Sequence, residues 1–351
     1  MSHPYKDLPA KHFWRKAIAD VPRHDVMLPV NSSFKIAPED KVATAGSCFA
    51  QHLAKGLEQA GFRYFVPEDG AELTPEQRAK ENYGVFSARY GNIYTTLQLH
   101  QTLLEAYGEA VPQDRVWQGK DGRFYDPYRP AIQPGGFESE AAVLEARETM
   151  LAAVRRIVED SDIFVFTLGL TEGWRNTADG WAYPVVPGSI AGAFDPDKHE
   201  FFNMTFREVQ EALEASLAIF RKHNPTIRVL LTVSPVPLVA TYEDRHVLTA
   251  TTYSKSVLRA VVEETARAHD WVTYFPSYEI ITGHYNGGLY FEEDMRNVAM
   301  RGVRHVMQNF MQEMTNVIAS SKEMDAQLAE QFTSELTALD NLVCEGEALD
   351  S

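Results

Sequence analysis

The chain has 351 residues, of which 44% are hydrophobic, so it can bury a sizeable core in one large or two smaller domains. Its formal net charge of −16 at pH 7 argues against nucleic acid or an anionic membrane surface as a main partner. The two cysteines, Cys48 and Cys344, provide neither a disulfide framework nor a zinc cluster.

The N-terminal residues carry no apolar segment of the kind that a secretory signal needs. No stretch approaches the ~18 consecutive apolar residues of a membrane-spanning helix. We therefore predict a cytoplasmic protein that makes no membrane contact.

A strand–serine–helix unit near the N-terminus is the clearest local signal. Residues 41–45 form a short, mostly apolar run that predicts a buried strand, and the helical spacing of apolar residues over 49–61 predicts a helix. Ser47 lies between them, at the sheet edge where open α/β folds bind ligands and where a helix N-terminus favours an anion. Ser47 is therefore either a nucleophile or an ordinary helix N-cap.

The elements that follow alternate between strand and helix. A helix is also expected just after residues 85–95. The other predicted strands are 62–67, 162–168, 227–233 and 271–275, and the other predicted helices are 150–158, 206–223, 254–269 and 298–318. This order indicates an α/β fold with a central, mostly parallel sheet and helices on both faces.

The pattern also suggests a division of the chain. Residues 1–39 form an irregular arm, and residues 40–320 form one domain with Pro- and Gly-rich loop insertions near 111–140 and 174–205. Residues 321–351 form an acidic amphipathic helix and tail, which we predict to dock a protein partner or a second copy of the chain.

Polar residues follow the predicted strands and should converge at one edge of the sheet. The candidate site residues are Ser47, Gly91, Asn92, Thr171, Glu172, Ser234, His246, Lys255, His284 and Asp294.

A serine nucleophile needs a base within hydrogen-bond reach and donors for the developing oxyanion. Gly91, through its N–H, and Asn92, through its side chain, are the predicted donors. We expect His246 to be the base, with His284 as the alternative. Asp294 either orients the base or caps the helix that follows it.

The remaining candidates are assigned to substrate binding. Thr171 and Ser234 follow strands at the same edge, and Glu172 is a substrate contact, a second acid or a solvated loop carboxylate. Lys255 either forms a Ser–Lys dyad or holds an anionic substrate. No dinucleotide-binding glycine motif, P-loop or metal-ligand spacing occurs, so we predict no cofactor and no metal.

The residues Gly46-Ser47-Cys48-Phe49-Ala50 spell the signature for which the GSCFA family is named. Over about residues 41–310 the chain resembles this family, a branch of the SGNH (GDSL-like) hydrolases. Further matching stretches are 88–94, 166–172, 231–237 and 253–259. The resemblance implies a three-layer α/β/α, SGNH hydrolase-like and flavodoxin-like fold, with Ser47 in the place of the nucleophile.

The chain departs from the SGNH pattern at two blocks. Thr171 and Glu172 stand where the third block has Asn-Asp, and Asn297 stands where the last block, Asp-x-x-His, has its histidine. An amide nitrogen cannot accept the serine proton as an imidazole does.

We therefore expect a serine ester hydrolase or O-acyltransferase. Its substrate would be a small or, as the resemblance implies, carbohydrate O-acyl ester, and it would act through a Ser47 acyl-enzyme. The alternative is a non-catalytic binding or assembly protein on a degenerate hydrolase fold.

Overall fold

The computed structural model describes residues 3–316, in which strands and helices alternate. The strands, in chain order, are β1 (Val42–Gly46), β2 (Trp117–Gln118), β3 (Phe124–Tyr125), β4 (Ile163–Leu168), β5 (Glu172–Asn176), β6 (Ala182–Tyr183), β7 (His199–Asn203), β8 (Arg228–Val233) and β9 (Val272–Tyr274). The α-helices are α1 (Cys48–Gln59), α2 (Pro75–Lys80), α3 (Thr96–Ala106), α4 (Glu140–Asp160), α5 (Phe206–His223), α6 (Val247–Ala268), α7 (Ser277–Thr282) and α8 (Met300–Met314).

The central sheet has four parallel strands in the order β1-β4-β8-β9. Every residue of β4 is buried, which explains why its sequence is an unbroken apolar run rather than an alternating one. The predicted parallel sheet is confirmed.

Two hydrophobic cores cover the two faces of this sheet. Successive side chains of a strand point to opposite faces, so Phe164 and Phe166 enter the core formed with α3, α4, α5 and α6. Ile163 and Val165 enter the core formed with α1, α7 and α8. The result is a three-layer α/β/α arrangement, as predicted.

Three expected elements differ from the structure. The strand expected at 62–67 is reduced to a single bridge between Tyr64 and Val42. The loop expected at 174–205 contains most of a three-stranded antiparallel sheet of order β6-β5-β7, in which β5 pairs with the distant β7. Helix α6 begins at Val247, seven residues before the predicted start, because its first two turns bury only Ala250 and lack a clear apolar stripe.

The N-terminal arm crosses back over the second core. It contains short helical turns at Ala10–His12, Arg15–Ala19 and Arg23–Asp25, and its Ile36 is fully buried. The predicted acidic helix at 321–351 lies outside the described residues. Within residues 3–316, no helix combines the length and apolar character that crossing a bilayer requires.

Candidate functional site

Ser47 lies directly between β1 and α1, where the strand turns into the helix. Gly46 has a φ of +138°, and a Cβ at this position would lie 2.5 Å from the carbonyl oxygen of Thr167. Glycine is therefore required for the first two parallel strands to approach each other here. The turn delivers Ser47 to the carboxyl edge of the sheet.

The side chain of Ser47 does not act as a helix cap, although the residue holds the N-cap position. The residue is 6% exposed, and its Oγ has no hydrogen-bond partner within residues 3–316. Burying a hydroxyl without a hydrogen-bond partner costs free energy, so we expect a functional reason for it.

A pocket of about 440 Å³ adjoins Ser47. Gly169, after β4, and Ser234, after β8, reach it from the neighbouring strand ends, which is the convergence predicted for a parallel sheet. Its walls are mainly apolar; the residues include Leu170, Trp174, Pro184, Val185, Val186, Phe201, Val236, Pro237, Leu238, Val239, Ala240 and Tyr242. The pocket suits a small apolar group more than a sugar with many hydroxyls.

The loop containing Gly91 and Asn92 packs beside Ser47 without lining the pocket. The N–H of Ile93 donates to the carbonyl of Gly46 at 3.0 Å, which ties the loop to the end of β1. Gly91 adopts a left-handed φ of +70°, and the buried Asn92 Oδ1 has no partner within the described residues. Tyr94, two residues further on, does line the pocket.

Thr171 and Glu172 have different surroundings. The hydroxyl of Thr171 donates to Asn203 Oδ1 at 2.7 Å, and its N–H donates to Ser254 Oγ at 3.0 Å, so Thr171 joins elements rather than facing the pocket. Glu172 does line the pocket, and its carboxylate accepts from the Thr241 hydroxyl at 2.9 Å. Burial, with the nearby Glu243 charge, raises the pKa of Glu172 despite this hydrogen bond.

Ser234 and Lys255 support the polar end of the pocket. Ser234 Oγ accepts a hydrogen bond from the N–H of Val236 at 3.3 Å. Lys255 is fully buried and donates from Nζ to the carbonyl of Gly169 at 2.7 Å. Burial, and then the charge of Arg296, lower the pKa of Lys255 to about 7.

The predicted bases do not reach Ser47. His246 is exposed and is the N-cap of α6, where its Nδ1 accepts from the N–H of Leu248 at 3.1 Å. His284 is also exposed and stacks on Trp14, with ring centroids 5.3 Å apart. Neither residue lines the pocket. The expected contact between Ser47 and His246 is not formed, because the early start of α6 uses this histidine as a cap.

Asp294 is engaged within its own loop. Its carboxylate accepts from the N–H groups of Arg296 and Asn297, each at 2.9 Å, and from Asn297 Nδ2 at 2.6 Å. Burial by itself would raise the pKa of Asp294. The three hydrogen bonds and the charge of Arg296 outweigh burial and lower this pKa. In this structure Asp294 shapes a turn and orients no histidine.

Two features of the site were missed in the sequence. Arg296 lines the pocket, although in the sequence its segment stands out only as a departure from the Asp-x-x-His pattern. Three aromatic side chains also line it and contact one another: Trp174 and Tyr242 have centroids 4.9 Å apart, and Phe201 lies within 5.8 Å of both. The Trp174–Phe201 pair follows from the β5–β7 register, which was not predicted.

The fold and the site together define an α/β/α protein with a buried serine at the end of its first strand, whose hydroxyl has no hydrogen-bond partner among the described residues. Within residues 3–316, no three His, Cys, Asp or Glu side chains converge as a metal site requires. The sequence profile of the GSCFA family matches residues 41–310, and the chain belongs to this family. No curated protein matches the chain.

Proposed function

We propose that the protein is a serine ester hydrolase or O-acyltransferase in which Ser47 forms an acyl-enzyme. The observation that carries this proposal is the Ser47 hydroxyl, which is buried beside the pocket and makes no capping bond at its helix N-terminus. Most N-cap serines use that bond to stabilise the helix. The absence of this capping bond at Ser47 favours a catalytic role for the hydroxyl.

The proposed reaction begins with attack of Ser47 Oγ on an ester carbonyl. The hydroxyl proton passes to a base, and N–H groups at the N-terminus of α1 stabilise the oxyanion. The tetrahedral intermediate expels the alkoxide, which takes up the proton. Water or an acceptor alcohol then attacks the acyl-enzyme, so the acyl group leaves as an acid or as a new ester.

The proposal requires a group that accepts the proton of Ser47. Among the described residues that line the pocket there is no histidine, and Glu172 carries the only carboxylate. The raised pKa of Glu172 makes it a stronger base than an ordinary glutamate. We therefore propose Glu172 as the acceptor and retain His246, which the sequence favoured, as the alternative.

A non-catalytic binding protein is the second candidate function. It is favoured because Ser47 Oγ contacts no base within residues 3–316. In that case the pocket would hold its ligand unchanged.

Covalent labelling of the full chain with a fluorophosphonate, read by intact mass, separates the two functions. We expect one adduct on the wild type and on Ser234→Ala, and none on Ser47→Ala. Ser234 is a matched control because it is another buried serine at a strand end of the same pocket. An adduct that persists in Ser47→Ala, or a wild type that neither labels nor hydrolyses nitrophenyl esters, would overturn the enzyme proposal.

The same assay identifies the base. Loss of the acceptor should slow labelling by on the order of 10²–10⁴-fold. We expect this loss in Glu172→Gln and near-normal labelling in His246→Ala, and the reverse result would assign the role to His246.

Location and partners also remain proposals. We propose that the protein acts in the cytoplasm, which subcellular fractionation tests. Self-association or partner docking through residues 321–351 is tested by the mass of the full chain in solution.

A further inference from the structure

One wall of the pocket is formed by β5, which begins at the edge of the sheet that carries Ser47. β4 lies beside β1 and ends at Leu168, and β5 begins shortly afterwards at Glu172. Side chains two residues apart point to the same face of a strand, and Glu172 and Trp174 both line the pocket. Trp174 lies about 7 Å further along β5 than Glu172. The lining therefore changes along this strand from a carboxylate near the sheet edge to an aromatic ring.

The register of β5 and β7 extends this wall. Trp174 pairs with Phe201, which also lines the pocket, and their ring centroids are 5.8 Å apart. The next pair in the register, Arg175 and Glu200, forms an ion pair at 2.7 Å on the opposite face of the sheet. Alternation along the strands thus keeps this ion pair away from the rings that line the pocket.

The loop after β8 forms a second wall. Its residues 236–242 line the pocket, and two adjacent side chains hold it against β5. The Thr241 hydroxyl donates to the Glu172 carboxylate at 2.9 Å, and the ring centroids of Tyr242 and Trp174 are 4.9 Å apart. The two walls therefore meet at this point, and aromatic rings close that part of the pocket.

These aromatic rings have surface left for a further ring. Trp174 makes edge contacts with Phe194, Phe201 and Tyr242, at interplanar angles of 85°, 66° and 63°. Phe194 is 45% exposed and Tyr242 is 70% exposed, so the described chain does not seal the cluster. Aromatic rings pack favourably edge-to-face or offset, and such contacts would favour a bound aryl ring over a saturated ring of similar size by about two- to tenfold in affinity.

Charge and hydrogen bonding favour an uncharged ligand group. Among the described lining residues, the charged ones are Glu172 and Arg296, which have opposite signs. The lining as a whole thus selects neither an anion nor a cation. The side chains of residues 184–186 and 236–240, which also line the pocket, are aliphatic and carry no polar atom. The hydroxyls of a sugar would lose their hydrogen bonds to water against these side chains.

We propose that the pocket binds an ester that carries a compact, uncharged aryl group, and that this ring packs against Trp174. The ester group then lies at Ser47, and Trp174 determines the specificity. This inference rests on the proposed function for the ester and goes beyond it by naming the substrate class. It departs from the carbohydrate ester that the resemblance implied. Its test measures binding and needs no turnover.

The test compares three uncharged esters: methyl 3-phenylpropanoate, methyl 3-cyclohexylpropanoate and 6-O-acetylglucose. Their affinities for full-length Ser47→Ala protein are measured by ligand-detected NMR titration, which is suited to weak ligands. We expect the phenyl ester to bind about two- to tenfold more tightly than the cyclohexyl ester, and about tenfold or more tightly than the acetylated sugar. The isomer 2-phenylethyl acetate, compared with the phenyl ester, shows whether the ring belongs to the acyl group or to the alcohol.

Trp174→Leu, made in the same Ser47→Ala background, should remove the preference for the phenyl over the cyclohexyl ester, because leucine keeps an apolar wall without a ring. Trp174→Phe should retain most of this preference. Trp14→Leu is the matched control, since Trp14 is 62% exposed in the N-terminal arm and does not line the pocket. Thermal unfolding of each variant shows that it is folded.

Equal or tighter binding of the cyclohexyl ester or of the acetylated sugar to Ser47→Ala protein would overturn the inference, even if Trp174→Leu failed to fold. A phenyl preference that persists in Trp174→Leu, or that falls equally in Trp14→Leu, would also overturn it. The outcome is separate from that of the labelling experiment. A protein that prefers the aryl ester but never labels at Ser47 would retain this site and lose the proposed enzymatic function, whereas one that labels without this preference would lose the specificity alone.

Discussion

Lys255 is the residue whose burial has the clearest energetic consequence. A lysine is almost never fully buried without a charged partner, yet Lys255 is 1% exposed and donates a hydrogen bond to the carbonyl of Gly169. Desolvation and the Arg296 charge lower its pKa from 10.5 to about 7. The residue therefore costs stability while it holds the Gly169 loop against the pocket.

This cost should depend on pH. Between the folded pKa of about 7 and the unfolded value of 10.5, the unfolded chain binds a proton that the folded chain lacks, so stability rises with pH. The unfolding free energy of the wild type, relative to Lys255→Met, should rise by about 1.4 kcal/mol per pH unit above about pH 7. Urea unfolding of both proteins across this range measures it. The exposed Lys120→Met variant should differ from the wild type by a nearly constant amount, and a constant difference for Lys255→Met would contradict the prediction.

At the scale of elements, a buried ion-pair network joins two helices to the 111–140 insertion. Arg147 on α4 donates to Glu105 on α3, at 2.7 Å for Nε, and to Asp126 in the insertion at 2.8 Å. Arg129 binds the same aspartate and donates to the carbonyl of Arg89 at 2.9 Å. The insertion contributes none of the described pocket lining, and it instead anchors the segment that leads to the site.

Removing the shared cation should destabilise the fold strongly. Arg147→Met leaves two buried carboxylates without this partner, and we expect the free energy of unfolding to fall by about 3–5 kcal/mol. Arg156→Met, on the same helix, removes a half-exposed arginine that pairs with Asp160 at 3.6 Å, and it should cost less than about 1 kcal/mol. Chemical denaturation of both variants makes the comparison, and similar losses would show that the network contributes little.

Across the whole molecule, the N-terminal arm closes the core on one face of the sheet. Ile36 packs in this core, and its N–H donates to the carbonyl of Met314 at 2.7 Å. The N–H of Val30 also donates to the Glu313 carboxylate at 3.1 Å. The C-terminal end of the arm is thereby fixed to the end of α8, and the matched family region lies between the two.

Truncating this contact should weaken the whole fold. Ile36→Ala leaves a cavity at a fully buried site and should lower the free energy of unfolding by about 2–5 kcal/mol. Val111→Ala, at a side chain that is 56% exposed, should change it by less than about 0.5 kcal/mol. The two values come from urea unfolding, and a small effect at Ile36 would mean that the arm is dispensable for stability.

Most of the central sheet could be predicted from the sequence, because its patterns are local. The run 163–168 is apolar since β4 is buried on both faces, and the helical spacing after Ser47 reports the face of α1 that meets the core. Ser47 itself was found because a strand, a tight turn and a helix are contiguous in the chain. The start of α6 was missed because Leu248, in its first turn, is 68% exposed and carries no periodic signal.

The composition of the pocket depends on contacts between segments that are distant in the chain. Trp174 and Phe201 meet through the pairing of β5 with β7, and Tyr242 joins them from the loop before α6. Arg296 reaches the same pocket from the far end of the domain. Local periodicity reports which residues share a strand or a helix face. It carries no information about which loops meet at the sheet edge, because that depends on strand order and packing; for this reason the nucleophile candidate was predictable while its charged and aromatic surroundings were not.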